Sequence, residues 1–438
     1  MMNLILLSGG SGKRLWPLSN DVRSKQFIRM FRREDGEYES MVQRVYRQIM
    51  AADPAAHVTI ATGAQQLSSI QNQLGDSVSV SLEPDRRDTF PAIALAAAHL
   101  HHVQGLGLDE PVVVCPVDPY VEEGYFHALV ELSRLSKEGK AKLSLLGITP
   151  TYPSEKYGYI IPTEMGEVAA VSTFKEKPDE ETAKAYIAQG ALWNGGVFAF
   201  RLGYLLDRAH ELMEFTDYWD LYQHYSEQKK ISFDYAVAEH EQSIQVLRYN
   251  GEWRDVGSWN TFTEVMSENT VGNATLDDTC QNTHVINELN IPVLCMGCEN
   301  QVVVASPDGI LVADKHQSSY LKPYADRLEQ QVMYAEKSWG SFTVLDAQSD
   351  SMTIRVVLNP GHGMHYHSHE HRSEIWTVTA GSGTTLVDGM EQLVRVGDVI
   401  TMDIGCKHTI TAGDEGLTLI EVQLGRDISV YDKQLHEQ

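Results

Sequence analysis

The sequence predicts an α/β domain built on a mostly parallel sheet, then a small β connector, then a C-terminal β-barrel. Three observations predict it. Over residues 1–265, apolar runs of strand length alternate with longer amphipathic stretches, the pattern of strands joined by helices. Over 266–330 the runs shorten, and Asn, Asp and Gly turns divide them. Over 331–438, runs of strand length follow one another as they do in a barrel.

Each element has its own justification. Runs at 3–7, 58–61, 78–81, 112–115 and 142–147 are predominantly apolar, as strands covered on both faces are. Residues 40–50 and 91–102 carry helical patterns between them. In such folds a ligand sits outside the carboxyl ends of the strands. The glycine turn after Leu7 and Asp118 after 112–115 both fall at such ends. Connector strands are expected at 284–286, 291–295, 301–305 and 309–313, and 325–338 reads as a polar linker helix. Barrel strands are expected at 352–358, 375–379, 384–387, 399–402 and 417–422.

A length of 438 residues fits two or three domains. The net charge of −25 argues against a nucleic-acid or membrane-surface partner. An acidic protein that handles an anionic substrate must gather its cations locally. Five cysteines (Cys115, Cys280, Cys295, Cys298 and Cys406) are thinly spread. Cys295-Met-Gly-Cys298 has redox or zinc spacing, but no second such pair follows, and apolar neighbours at 293–294 and 302–304 favour a buried strand pair. No leader pattern opens the sequence, and no apolar run approaches the ~18 residues of a membrane span. A reduced, cytoplasmic setting is expected.

The phosphate chemistry gathers in the first 26 residues. Leu7-Ser-Gly-Gly-Ser-Gly-Lys-Arg-Leu-Trp-Pro-Leu-Ser19 leads from a strand into a glycine-rich turn, and Arg23-Ser-Lys25-Gln26 follows. Ser8, Gly9, Gly10 and Gly12 leave backbone amides open to an anion. Lys13, Arg14 and Lys25 can neutralise charge on a leaving phosphate. The spacing is neither that of the P-loop nor that of the dinucleotide turn.

Later segments add to this. Glu83-Pro-Asp-Arg-Arg87-Asp88-Thr89 precedes a helix start whose free amides can hold a base or phosphate, or simply cap the helix. Asp118 can bind Mg²⁺ or form a turn, and Asp255 offers a second carboxylate. Gly158 permits close ligand approach. Period-two alternation puts Lys175 and Lys177 on one side of their strand and Glu176 on the other. Glu176 can then accept sugar hydroxyls and Lys177 hold a sugar phosphate, unless the segment is a solvated edge. Trp193-Asn194-Gly-Gly feeds a buried strand and forms a plausible hexose seat.

Taken in order, these pieces resemble the sugar-phosphate nucleotidylyltransferases, most closely the bacterial mannose-1-phosphate guanylyltransferases. The resemblance implies a Rossmann-like domain that transfers a nucleoside monophosphate to a sugar 1-phosphate and releases pyrophosphate. It implies that Gly9, Gly10 and Gly12 cradle the triphosphate, with Arg14 and Lys25 as phosphate ligands. Asp118 and Asp255 would carry Mg²⁺, and Glu176, Lys177 and Asn194 would face the sugar phosphate. There are departures. Lys13 stands where the family has Thr, Ser24 where it has Pro, Asp88 and Phe90 replace Asn and Ala, Pro119 replaces His, and Gly195 stands where Ser is common. They cluster near base and sugar positions, so nucleotidyl transfer is better specified than GTP or mannose.

In the barrel, Gly361-x5-His367-Ser-His369-x4-Glu374-x6-Gly381 and Gly397-x5-Asp403-Ile-Gly405-x2-His408 match the two cupin motifs, with Asp403 at the usual Pro position. His367 and His369 alternate onto one strand face, and Glu374 and His408 complete a set of ligands for Zn²⁺ or another divalent transition metal. A histidine-rich strand without metal is the plain alternative. Trp339-Gly340, Pro360-Gly361, His371-Arg372-Ser-Glu374 and Glu421-Val-Gln423 resemble a phosphomannose isomerase domain. However, that domain has Gln where His367 stands and a Tyr-Gly-Arg ending that this sequence lacks. A structural, sensing or dimerising cupin is the alternative.

The expectation is a sugar-phosphate nucleotidylyltransferase making GDP-mannose from GTP and mannose 1-phosphate for surface polysaccharide, acting as a homodimer. Two alternatives stay open: the same chemistry with CTP or another sugar or polyol phosphate, or a non-catalytic sugar-nucleotide sensor whose cupin binds metal.

Overall fold

The computed structural model describes residues 1–9, 13–20, 22–328, 331–426, 428 and 432–437. Gly10 and Gly12 of the glycine turn lie outside the described residues. The chain divides into two compact units. The first comprises Met1–Gly10, Gln26–Leu67 and Asp76–Ser267, and the second Ser11–Lys25, Ser68–Gly75 and Glu268–Gln438.

Nine strands form the sheet of the first unit. In spatial order they are Ser79–Glu83, His57–Gly63, Asn3–Leu7, Pro111–Pro116, Leu192–Arg201, Leu143–Ile148, Ile244–Tyr249, Val168–Lys175 and Tyr159–Pro162. The first four are mutually parallel, as are Leu143–Ile148 and Ile244–Tyr249. Leu192–Arg201 and Val168–Lys175 run against their neighbours. Leu4, Ile5, Leu6, Val112, Val113 and Val114 are wholly buried, which is why these strands read as unbroken apolar runs. Helix Met41–Ala52 starts at Ser40, whose side chain and Gln43 form a capping box. Helix Thr89–Ala98 is buried from Phe90 onward, and its alanines allow close packing on several sides.

From Asn3–Leu7 the chain adds strands on one side, to Ser79–Glu83, then returns to place Pro111–Pro116 on the other. The winding therefore reverses between Asn3–Leu7 and Pro111–Pro116. Such a switch point opens a crevice at the carboxyl ends of the two strands.

The second unit combines short strands with a barrel. Thr270–Gly272, His284–Asn287 and Gln301–Ser306 pair in parallel, and Gly309–Asp314 closes that sheet antiparallel. Ala274–Leu276 pairs in parallel with Val293–Cys295. The strands expected around 293–294 and 302–304 thus exist but do not pair with each other, because each stacks onto the equivalent strand of a neighbouring coil. The linker helix expected over 325–338 is also corrected. A short helix, Lys322–Ala325, is followed by a strand, Tyr334–Lys337, that turns back onto Gly340–Ala347. Ala335 and Glu336 are buried in that hairpin, and Glu336 accepts a hydrogen bond from Gln73 (2.6 Å), so local polarity loses to tertiary pairing.

The barrel is built mainly from Gly340–Ala347, Ser351–Leu358, Arg372–Val387 and His408–Gly425 around a core that includes Trp376, Leu419 and Ile410. Residues 13–20 and 22–25 join this unit through defined contacts. The Trp16 ring lies where a side chain at Gly309 would sit (2.6 Å from its Cβ position), and Asn20 donates to Asp308 (2.9 Å). Among the described residues, no helix is long and apolar enough to cross a membrane.

Candidate active site

Two segments leave the sheet at the switch point. Ser8 N donates to Ala61 O (2.9 Å), so its amide is not open to an anion as expected, because it is spent on the adjacent strand; Val117 N likewise donates to Leu7 O (3.2 Å). Ser8 is buried and shares a network with Gln26 and Gln66. A Cβ on Gly9 would meet nothing within 4 Å, so the turn faces open space here. Lys13 and Arg14 lie in the short turn Lys13–Leu15 and Lys25 opens the turn Lys25–Phe27. All three cations belong to the second unit.

Asp118 follows Val117 and leads into strand Pro119–Val121. That strand pairs antiparallel with Trp253–Asp255, and the register sets Asp255 opposite Pro119. The ribbon therefore brings two aspartates that are distant in sequence to the same end of the first unit. Carboxylates so placed, one on a strand and one just before its partner strand, are of the type that holds a hard divalent cation.

Next to Asp255 is a cavity of about 490 Å³, lined in part by Thr149, Tyr152, Tyr157, Trp193 and Trp253. Its rings meet edge-on or tilted: Tyr157 with Trp193 at 5.0 Å and with Trp253 at 5.3 Å. Burial, followed by Tyr152 and then Asp255, raises the Tyr157 hydroxyl well above its ordinary range, so it stays a neutral hydrogen-bonding group.

Glu176, Lys177 and Asn194, expected to face a sugar phosphate, lie together with Gly158. Asn194 N donates to Gly158 O (2.8 Å). Glu176 packs against Gly158, and its Oε2 is buried with no hydrogen-bond partner. The Lys177 ammonium pairs with Glu176 Oε1 at 3.1 Å. This corrects the alternation expected for that strand. Lys177 has φ +46°, which ends the extended backbone and swings the lysine round to the glutamate's side.

Sequence reasoning missed Asp234. It accepts a hydrogen bond from Asn194 Nδ2 (2.6 Å), and burial followed by the charge of Glu176 raises its carboxyl to about 6. The available signal was an acid set between aromatics, Phe233-Asp-Tyr235, inside an apolar run. Asp234 opens a π-helical turn, Asp234–Ala238, a distortion common at functional positions.

The helix start near Thr89 does not offer the free amides expected of it. Asp88, at φ +69°, caps the helix by accepting from Thr89 N (2.8 Å), and Phe90 N donates to Ile231 O (3.1 Å). Pro91 has no N–H to offer. Thr89 Oγ1 accepts from Phe233 N (2.8 Å). Glu83 accepts from the Tyr225 hydroxyl (2.7 Å), and burial raises its carboxyl. Arg87 pairs with Asp85 at 2.8 Å, while its Nε is buried without a partner.

In the barrel, register sets His367 opposite His408. The ring nitrogens of His367, His369 and His408 lie within 4.8 Å of one another, all buried. Each Nδ1 faces a backbone carbonyl: His365 O for His367 (2.7 Å), Asp432 O for His369, and Cys406 O for His408 (3.0 Å). A carbonyl only accepts, so each Nδ1 carries the proton and each Nε2 keeps its lone pair for the interior. His408 Nε2 is buried without a hydrogen-bond partner. Burial, followed by Lys433 and His408, lowers His367 to about 2, which keeps it neutral. Glu374 lies 3.0 Å from His369 Nε2 and 3.3 Å from His408 Nε2. Three neutral imidazoles and one carboxylate fit a divalent transition metal. Arg372 competes for the same atoms, since it donates to Glu374 Oε1 (2.9 Å) and lies 3.2 Å from His369 Nε2. Glu421, buried and raised to about 8 by burial and by Glu374, lies beside Gln423 in the same interior. The alternation of Glu421 and Gln423 along a buried strand was the signal for it.

Comparison with known proteins agrees with both halves. The nucleotidyl transferase family model matches residues 3–271, and the model for the mannose-6-phosphate isomerase C-terminal domain matches 325–436. A mannose-1-phosphate guanylyltransferase from Escherichia coli K12 is 31% identical, covering 96% of this chain and 95% of that protein. The xanthan biosynthesis protein XanB of Xanthomonas campestris (strain ATCC 33913) is 32% identical over the same shares. A crystal structure described as mannose-1-phosphate geranyltransferase from Thermus thermophilus superposes with a TM-score of 0.62 at 27% identity. It covers 75% of this chain and 99% of that one.

Proposed function

The chain belongs to the nucleotidyl transferase family as a sugar-phosphate nucleotidylyltransferase with a C-terminal mannose-6-phosphate isomerase domain, and on that premise we propose that it joins GTP to mannose 1-phosphate, giving GDP-mannose and pyrophosphate. The observation that carries this reading is the ribbon that sets Asp255 opposite Pro119, next to Asp118, at the switch point.

In this reading Asp118 and Asp255 hold Mg²⁺, which, when bound, neutralises triphosphate charge. Gly9, Gly10 and Gly12 cradle that triphosphate, and Lys13, Arg14 and Lys25 offset charge growing on the departing pyrophosphate. Ser8 anchors the turn. Glu83, Arg87, Asp88 and Thr89 border the base through side chains, since the helix amides are already used. Glu176 accepts hexose hydroxyls on its unpartnered Oε2, Asn194 and Gly158 shape the seat, and Lys177 holds the sugar phosphate. The sugar phosphate oxygen attacks the α-phosphorus in line. No side-chain nucleophile is required, and positioning two anions is the main task.

The test is pyrophosphate release from four NTPs, each with Mg²⁺ and a panel of sugar phosphates. GTP with mannose 1-phosphate should be fastest. Release with CTP but not GTP reassigns the base, and no release from any pair favours a binding protein. Asp118→Asn should lower kcat at least about a hundredfold, or ~2.7 kcal/mol, if it holds the ion.

The buried imidazole set favours a second reading for the barrel: interconversion of mannose 6-phosphate and fructose 6-phosphate with a bound divalent metal. Glu421 is the acid–base candidate. Assay with and without Zn²⁺ checks it, and His369→Ala should remove any activity found.

A further inference from the structure

The first unit holds a second cavity, of about 660 Å³, whose lining includes Arg32, Arg33, Arg44 and Arg47 with the rings of Phe31 and Tyr120. None of these residues has a role in the reading above. Three carboxylates, Glu34, Asp35 and Glu39, line it as well, so the lining carries one excess positive charge in a chain of net charge −25.

Arg33 and Arg47 are committed to carboxylates. Arg47 forms a two-pronged pair with Glu39 (3.0 and 2.6 Å), and Arg33 pairs with Asp35 at 2.8 Å. Arg44 is different. Among the described residues it makes no ion pair. Its Nη1 donates to Gln48 Oε1 (2.8 Å) and Val121 O (3.0 Å), and its guanidinium lies 4.5 Å over the Tyr120 ring. Its countercharge is Glu39, which is itself bonded to Arg47, so Arg44 has neutral hydrogen-bond acceptors and no carboxylate of its own; an oxyanion in the cavity supplies one. Phe31 stacks on Tyr120 at 5.8 Å and fixes the ring beneath Arg44.

We propose that this cavity is a second, regulatory site for a phosphate-bearing small anion, with Arg44 as its central contact. The coupling route is short. Arg44 bonds Val121 O, Val121 pairs with Trp253, and the same strand pair sets Asp255 opposite Pro119. An anion that draws Arg44 toward the cavity acts on the strand that fixes both aspartates, provided it binds their two arrangements unequally. The regulatory half rests on the functional reading above; the binding half stands on the cavity alone.

The test is calorimetric titration of the intact chain with Mg²⁺ present, with inorganic pyrophosphate in one arm and the sugar-nucleotide product in the other. Wild type is compared with Arg44→Gln and with the double variant Arg32→Ser/Arg33→Ser, whose side chains are exposed. The expected result is two classes of site in wild type, one of them weakened at least tenfold in Arg44→Gln and several-fold in the double variant. The arm that shows the loss identifies the source of the phosphate. A single class in wild type, lost in Arg44→Gln, supports the cavity and counts against the active-site reading. Identical isotherms in all three proteins overturn the proposal.

Discussion

Glu176 occupies the space that a side chain on Gly158 would need: a Cβ built there would collide with Glu176 Oε2 and come within 3.3 Å of Asn194 Cβ. The glycine is thus required by a close approach, since Glu176 can reach the seat only while residue 158 has no side chain.

Gly158→Ala should therefore push the Glu176 carboxylate out of the seat. The expected outcome is a fall of about tenfold or more in kcat/KM for the sugar phosphate, ~1.4 kcal/mol or more, with KM for the nucleotide nearly unchanged. Steady-state kinetics with each substrate varied in turn will check it. An equal loss on both substrates would place Glu176 elsewhere than the sugar end.

Asp234 gives the site a pH signature. Its carboxyl stands at about 6 against 3.8 for the free residue, because of burial, then Glu176, offset in part by Asn194 and Lys177. Between those values the folded chain keeps a proton that the unfolded chain has released. Stability therefore falls as pH rises from about 4 to about 6 and is level above that, by at most ~3 kcal/mol. Asp234→Asn removes the titrating group and should flatten that stretch of the curve. Urea unfolding at a series of pH values will show it, and a slope unchanged by the substitution would exclude Asp234 as its source.

How much of this was legible in the sequence depends on the range of the forces involved. The strand at 3–7 and the run at 112–115 announced themselves because burial on both faces demands unbroken apolar residues. The His367–His369 spacing was legible because a strand repeats every two residues. Lys177 was misread because a single positive φ breaks that period, and Lys carries no local signal for it. The strand at Tyr334–Lys337 was misread because its partner, Gly340–Ala347, outweighs a polar sequence that favours a helix. Asp234 escaped notice because its role arises from Asn194, which lies 40 residues away. The filled amides at Thr89 and Phe90 were out of reach for the same reason, since Ile231 supplies one acceptor.

The barrel triad should bind one divalent transition ion per chain. Each Nε2 already faces inward, so binding needs no tautomer change, though Arg372 must yield its contacts with His369 and Glu374. Zn²⁺ at a hundred times its Kd should add about 2.7 kcal/mol to the stability of the part that unfolds with the barrel. His408→Ala should abolish both the uptake and the shift in Tm. Metal analysis after dialysis, together with calorimetric melting, measures the two effects. Stoichiometric uptake by His408→Ala would mean that the ion sits elsewhere.

Arg23 provides the stability counterpart within the second unit. Its guanidinium is 6% exposed and donates to both carboxylate oxygens of Glu288 at 2.9 Å, while the Tyr334 ring lies 4.8 Å from its Cζ. This arginine follows the glycine turn closely in sequence, yet its charge is spent on the connector. Arg23 Nε has no partner of its own, so Glu288 carries most of the compensation. Glu288→Ala leaves a buried cation and should cost ~3 kcal/mol or more, whereas removal of both partners, Arg23→Met with Glu288→Ala, should cost less than the sum of the two single changes. A double-mutant cycle by urea unfolding measures this coupling. Strict additivity would mean that the two-pronged pair contributes nothing beyond its separate side chains.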